Sequence, residues 1–273
     1  MDYWLQQRRV AAIEFLQQSG WLRHVQWFEE TDSTNTQARL QLAAGFDRLP
    51  ALWFADRQTS GRGRTTRPWW SPEGCLMFSL VVGQEQMPSD ASHWPQLSLV
   101  AGVAAATAVE AEVPRATVKL KWPNDLFVEG RKLAGILVEA VPRAVDGGMA
   151  FVIGIGLNVA VDWSQADVDL RRRACSLSQF ADSEVVVENV LIRLIEHLQR
   201  WLAGWHTGDA TWWQQWSSRS LLTGCVVQLG LPHAEPLIGE CQGIDHSGRL
   251  LVQDVHQLHR IQSADVLAWQ SKV

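Results

Sequence analysis

The stretch Ser60-Gly61-Arg62-Gly63-Arg64 has the composition of a loop that closes on an anion. Arg57 and Arg67 flank it, so four guanidiniums fall between residues 57 and 67 of a chain whose formal net charge is −5. Arginine presents a planar fork of donors that matches phosphate and carboxylate oxygens in pairs. Glycine lets the backbone approach a ligand and reach φ > 0. Two further stretches carry cations next to turn or small residues: Lys121-Trp122-Pro123-Asn124-Asp125, and Lys132-Leu133-Ala134-Gly135-Ile136-Leu137-Val138-Glu139. The polar run Thr31 to Asn35 precedes them and Gly154-Ile155-Gly156-Leu157-Asn158 follows. Fixed cations from separate stretches are what a reaction at phosphate needs, because charge builds on the attacked phosphorus group and its leaving group.

Two common nucleotide readings fail. No G-x-x-x-x-G-K-[ST] run occurs, and the Gly154–Asn158 stretch lacks the third glycine of a dinucleotide fingerprint and is not followed by a clear helix. A pI near 5.9 argues against general nucleic-acid binding by net charge. Cys75, Cys175, Cys225 and Cys241 form no C-x-x-C pair, which leaves buried reduced thiols as the expectation. Residues 1–20 have no apolar core of a signal peptide, and no apolar run approaches the roughly 20 residues of a spanning helix. A soluble cytoplasmic protein is expected.

The elements that must position these groups are legible as alternating runs. Residues 9–19 predict a helix and 25–28 a first strand; the polar turn 31–35 then leads into a helix through Ala44, with Ser33 or Thr34 as a cap. Strands are predicted at 51–55, 76–82, 118–122, 132–141 and 150–159, the last two joined by a loop containing Asp146-Gly147-Gly148. Residues 97–111 predict a buried helix and 185–205 a long amphipathic one. The clustered Trp201, Trp205, Trp212, Trp213 and Trp216 read as helix packing. After about Leu222 short strands follow at 225–229, 238–244, 250–253 and 266–269, with a hairpin signal at Asp245-His246-Ser247-Gly248. The fold class is α+β, a mixed β-sheet flanked by helices over 1–221, then a small β-barrel over 222–273.

Taken together the motifs resemble those of the biotin–protein ligases, over roughly residues 25–270. That resemblance implies a class II synthetase-like catalytic domain followed by an SH3-like barrel. It implies an enzyme that uses ATP with Mg²⁺ to convert biotin to biotinyl-5′-AMP, then transfers biotin to a lysine of a carrier, the biotin carboxyl carrier protein of acetyl-CoA carboxylase. Lys121, Arg62 and Arg64 are the implied catalytic residues, with Lys121 bridging the biotin carboxylate and the α-phosphate. Ser33, Thr34, Asn35, Gln58, Gly61, Arg62, Gly63, Arg64, Lys121 and Gly135 are implied on biotin. Arg64, Arg67, Trp69, Lys121, Asn124, Lys132 and Asn158 are implied on the nucleotide, with Trp69 able to stack on adenine. Asp125 either faces Mg²⁺ or an amine, or stabilises its turn; metal ligands are not named by the sequence. Gly135 and Gly156 permit close backbone approach.

The chain departs from the resemblance after Arg64, where Thr65 and Thr66 replace a basic residue and a glycine, giving a stiffer and less charged loop. Some 24 residues precede the first strand, too few for a three-helix DNA reader, so a ligase-only form without operator binding is expected. The family resemblance leaves a homodimer possible and the task of the barrel open between docking the carrier, covering the nucleotide and a purely structural part. A lipoate or octanoate acyltransferase of related fold and a non-catalytic biotin or adenylate sensor are the alternatives.

Overall fold

A computed structural model describes residues 3–64, 67–232 and 234–271. The departures at Thr65 and Thr66 lie outside the described residues. In chain order the elements are α1 (Tyr3–Gln18), β1 (His24–Thr31), α2 (Thr34–Ala43), β2 (Ala51–Gln58), β3 (Cys75–Gly83), α3 (Leu97–Glu112), β4 (Lys119–Lys121), β5 (Asp125–Val128), β6 (Arg131–Pro142) and β7 (Met149–Asn158). Then come α4 (Val168–Arg173), α5 (Val187–His206), α6 (Thr211–Arg219), β8 (Cys225–Gly230), β9 (Leu237–Ile244), β10 (Leu250–Gln253), β11 (Leu258–Ile261) and β12 (Asp265–Ser271).

The first seven strands form one mixed sheet in the order β1-β2-β3-β7-β6-β5-β4. Only β1 and β2 run parallel, with α2 as their crossover. β3 is buried at all nine positions, as expected of a central strand covered on both faces. One face packs on α2 through Ala38, Leu42, Trp53, Val81 and Val152. The other packs on α3, α5 and α6, where Trp205, Trp212 and Trp216 are buried and Trp201 and Trp213 lie against the same core. The tryptophan cluster is therefore core packing, as its spacing suggested.

The remaining five strands form an antiparallel sheet, β11-β10-β9-β8-β12. This is the strand set expected of an SH3-like unit, and among the described residues no ladder joins β11 to β12. One hydrophobic cluster runs through both sheets, taking in Leu120 and Trp122 of the first and Val227, Leu229, Leu250 and Val252 of the second. The hairpin turn at 245–248 is folded inward: Trp122 Nε1 donates to the Gly248 carbonyl (3.1 Å), Gln96 Nε2 to the His246 carbonyl (3.1 Å), and Trp213 stacks on His246 at 4.2 Å. Asp245 Oδ1 accepts from Ser247 N and Arg249 N, which is the turn chemistry that Asp and Gly signal.

Four elements were not anticipated. β5 follows a three-residue turn, Trp122-Pro123-Asn124, directly after β4, so the single strand read at 118–122 is half of a tight hairpin. α4 and α6 are short and mark no long period, and β11 is only four residues. All four cysteines are free and buried. Burial pushes the Cys75 thiol up to about 12 and those of Cys175 and Cys241 up to about 11.

Candidate active site

One register row crosses five strands and supplies the floor of a cleft of about 220 Å³. Lys121 on β4 pairs with Asp125 on β5, Asp125 with Gly135 on β6, Gly135 with Gly156 on β7, and Gly156 with Met77 on β3. All five line the cleft. The two middle positions are glycines, which leaves a trough in the sheet surface. The Trp69 ring lies in it: a Cβ on Gly156 would sit 2.6 Å from Trp69 Cε2. Trp69 Nε1 is buried there without a hydrogen-bond partner.

A neutral polar nest stands toward the β2 side. The parallel register sets Thr31 opposite Gln58, which brings the start of α2 against the end of β2. Thr34 N donates to Gln58 Oε1 at 2.7 Å. Ser79, fully buried on β3, donates to Asn35 Oδ1 (2.6 Å) and lies 2.7 Å from the Thr34 hydroxyl. Asn35 Nδ2 donates to Glu139 Oε2 at 2.8 Å. Ser33 occupies the N-cap position of α2, but its side chain makes no capping bond. Asp32 organises this turn instead, accepting from Ser33 N (2.6 Å) and Gln37 Nε2 (2.8 Å). Those bonds outweigh burial and hold the Asp32 carboxyl below its ordinary range. The Ser33 hydroxyl thus faces the cleft free of the capping duty the sequence suggested.

The cations stand on the loop and on the opposite half of the sheet. Gly63 N donates to the Arg67 carbonyl and Trp69 N to the Gly61 carbonyl, which holds the two described arms of the arginine loop side by side. Gly61 does not line the cleft; a Cβ there would meet the Trp69 carbonyl at 2.9 Å and Gln58 Nε2 at 3.1 Å, so glycine lets the two arms approach. Arg62 donates to Thr36 Oγ1 (3.2 Å), Arg64 to Ser263 Oγ (3.4 Å), and Arg67 pairs with Asp265 (3.4 Å). Lys132 pairs with Asp125 at 2.6 Å and lies 5.6 Å from the Trp69 ring centre. Asn124 Nδ2 donates to the Ile136 carbonyl at 2.6 Å, which ties the turn after β4 to β6.

Lys121 Nζ lies 4.5 Å from the Trp269 ring centre. Burial pushes its ammonium below the ordinary lysine range; Asp125 opposes the shift, Lys132 and Arg67 add to it, and Asp265 opposes it. A charge kept in this setting gains when an anion arrives.

The structure brings Ser33, Thr34, Asn35, Gln58, Arg62, Gly63, Arg64, Arg67, Trp69, Lys121, Asn124, Lys132 and Gly135 around one cleft. Asn158 is elsewhere: it is buried at the end of β7, where Nδ2 donates to the Cys175 carbonyl (3.1 Å) and Oδ1 faces the Cys75 thiol. Ser79, Glu139, Asp265 and Trp269 were not singled out by sequence. Ser79 is one small residue in an apolar strand, and the segment 263–269 reaches the cleft only through the packing of the second sheet on the first.

For metal ligation the cleft offers two carboxylates, Asp125 and Asp265, and each is engaged by a cation. No group of three or more metal-ligating side chains stands together among the described residues. The arrangement suits a ligand with a compact, neutral, hydrogen-bonding head on the β2 side and anionic groups on the β4–β6 side, bridged by the apolar surface of Phe78, Ile136 and Ile155.

Comparison with known proteins agrees with this geometry. A biotin–[acetyl-CoA-carboxylase] ligase of Mycobacterium tuberculosis is 33% identical over 234 residues, covering 85% of this chain and 84% of that one. A protein of the same name from Paracoccus denitrificans is 32% identical over 242 residues, 86% of this chain and 97% of that one. The solved biotin protein ligase of Aquifex aeolicus in complex with biotin and ATP superposes with a TM-score of 0.76 at 25% identity, over 92% of this chain and all of that one. The profile of the biotin/lipoate A/B protein ligase family matches residues 27–158, a span that opens in β1, ends with β7 and holds the whole register row. By this span and these relatives the chain belongs to the biotin/lipoate A/B protein ligase family.

Proposed function

We propose that this chain is a ligase that activates biotin with ATP as biotinyl-5′-AMP and transfers the biotinyl group to one lysine of the biotin carboxyl carrier protein of acetyl-CoA carboxylase. The carrying observation is one cleft that joins neutral polar side chains at the β2–α2 end to Lys121 and Lys132 on β4 and β6, with the arginine loop beside it. Biotin has a neutral ureido head and a carboxylate tail, joined by an apolar chain, and so matches the cleft end to end. Relatives named as biotin ligases support the substrate over lipoate or octanoate.

In the first step a biotin carboxylate oxygen attacks the α-phosphate of ATP and pyrophosphate leaves. Thr34, Asn35 and Gln58, pre-set by Ser79, hold the ureido head so that the carboxylate projects toward Lys121. Lys121 draws the carboxylate and the α-phosphate together and offsets charge that grows at the phosphate in the transition state. Arg62 and Arg64 close over the mixed anhydride and keep water from it. In the second step a carrier lysine attacks the acyl carbon, AMP leaves, and the amine proton passes to solvent. Arg67, Trp69, Asn124 and Lys132 are assigned to the nucleotide, and Asn158 to holding the end of β7 from behind it. Mg²⁺ would arrive with ATP and offset phosphate charge; Asp125 and Asp265 are the cleft carboxylates that would face it, each already paired with a cation.

The described segment ahead of β1 is one helix, α1, packed on α5. Among the described residues no helix is long and apolar enough to cross a membrane. A cytoplasmic location follows from the proposed substrates, and β1, with one sheet neighbour, offers an edge for a homodimer.

The test is a mass spectrum of a carrier domain incubated with the chain, ATP, Mg²⁺ and biotin. One biotinyl group on a single lysine is the expected result. Acylation by lipoate or octanoate in place of biotin would replace the reading with the acyltransferase alternative. Binding of biotin without pyrophosphate release would leave a sensor.

A further inference from the structure

We propose that Trp269, on the last strand of the second sheet, is a positioning residue for Lys121. Its ring centre lies 4.5 Å from Lys121 Nζ. Phe127 on β5 stands beside that ring, 5.9 Å from the same nitrogen. The two rings meet nearly edge to face, at 88° and 6.0 Å between centres. The ammonium therefore sits in a corner built of two aromatic rings.

The acids that might have taken this role are committed elsewhere. Asp125 is bonded to Lys132, and Asp265 to Arg67. That division has a chemical consequence. A carboxylate partner would neutralise Lys121 and would have to be displaced before the lysine could serve an incoming anion. A π face attracts the cation without cancelling its charge. It also restrains a four-carbon side chain that would otherwise sample many rotamers. The ammonium is thus held in place, still fully charged, and released toward the cleft at little cost.

Trp269 is suited to this by its own support. It lies opposite Val227, a fully buried residue of β8, in the antiparallel β12–β8 ladder. The same segment sends Asp265 and Val266 into the cleft wall and receives Arg64 at Ser263. Because Trp269 is 37% exposed, its replacement opens no core cavity. The charged groups acting on Lys121 from surrounding elements are Asp125, Lys132, Arg67 and Asp265, and none of them is altered by substitution at 269.

The inference rests on the adenylating function above only for its kinetic readout. Lys121 is observed directly by NMR in protein carrying ¹³C-lysine, its signal assigned by its loss in Lys121→Arg. The wild-type Hε protons should be shifted upfield by the indole ring. Trp269→Leu should abolish that shift and slow pyrophosphate release on mixing biotin and ATP by roughly threefold to thirtyfold, the span of a cation–π contact. Trp269→Phe should keep part of the shift and stay within about threefold of wild type. A Lys121 signal at the ordinary lysine position in the wild type would overturn the proposal, as would a Leu variant at wild-type speed or a Phe variant as slow as the Leu one. A wild-type protein that releases no pyrophosphate would sink the ligase reading, and the NMR comparison would still judge the Trp269–Lys121 contact.

Discussion

In the proposed reaction the chemistry is concentrated at Lys121, a cation on the sheet floor of the cleft that, like Arg62 and Arg64 of the loop, has no carboxylate partner among the described ion pairs. Lys121→Ala should lower adenylation at least about 100-fold, equivalent to roughly 2.7 kcal/mol of transition-state stabilisation. Single-turnover pyrophosphate release measures it, and wild-type rates would remove Lys121 from the site. The pH dependence follows from the direction of its shift. The working form is the protonated one, and burial lowers the pKa below that of an ordinary lysine. Adenylation should therefore decline on the alkaline side at a lower pH than a free lysine would impose, and bound anions should move the decline upward. The thiols make a separate prediction. With pKa values of about 12, 11 and 11, Cys75, Cys175 and Cys241 hold almost no thiolate near pH 8. Iodoacetamide should leave them unlabelled in the native protein and label them after denaturation, as read by intact mass. At this scale the sequence was informative wherever a residue's role is written in its neighbours. Arg62, Arg64 and Lys121 stand in dense motifs. Trp269 and Asp265 stand in an ordinary strand, and only a tertiary contact made across more than 140 residues gives them meaning. Asn158 shows the converse: it sits in a motif and points away from the cleft.

At the level of elements, the register row from β4 to β3 does what no single loop could. It lines up Lys121, Asp125, Gly135, Gly156 and Met77 on rigid backbone, and ladder hydrogen bonds fix their spacing. The aligned glycines make the trough that receives Trp69. Gly156→Ala should push that ring out, since its new methyl would meet the indole at 2.6 Å. Nucleotide affinity should fall by roughly tenfold, about 1.4 kcal/mol, with the melting temperature nearly unchanged; calorimetric titration and thermal denaturation together check this. The strands themselves were readable from alternation and apolar runs. Their pairing was not, because register is set between strands distant in sequence. The β4–β5 hairpin escaped notice for a local reason: a four-residue strand directly after a turn has no room to show a period. α6 escaped because its tryptophans signalled packing more loudly than helix boundaries.

On the scale of the whole molecule, the two sheets share one apolar cluster. The change in character near residue 221 reads as a domain boundary in sequence, because strand length and turn frequency shift there. Packing across it is nevertheless continuous, with Leu120, Trp122, Val227 and Leu250 in the same core. A chain ended at residue 221 should lose cooperative thermal unfolding, which circular dichroism would detect; a sharp transition in the truncated chain would show the second sheet to be dispensable for folding. Trp122→Phe is the milder probe. It removes the donor to the Gly248 carbonyl and should cost about 1–3 kcal/mol in denaturant unfolding.

Trp122, next to Lys121 in sequence, thus acts as a rivet through to a turn that looks, in sequence, like an ordinary surface bend. Substitutions at Asp245 to Gly248 lie outside the cleft, yet they pull on the peptide that follows Lys121. A scan of those four positions should register as changes in turnover rather than in solubility, making a remote bend one of the tuning screws of the active site.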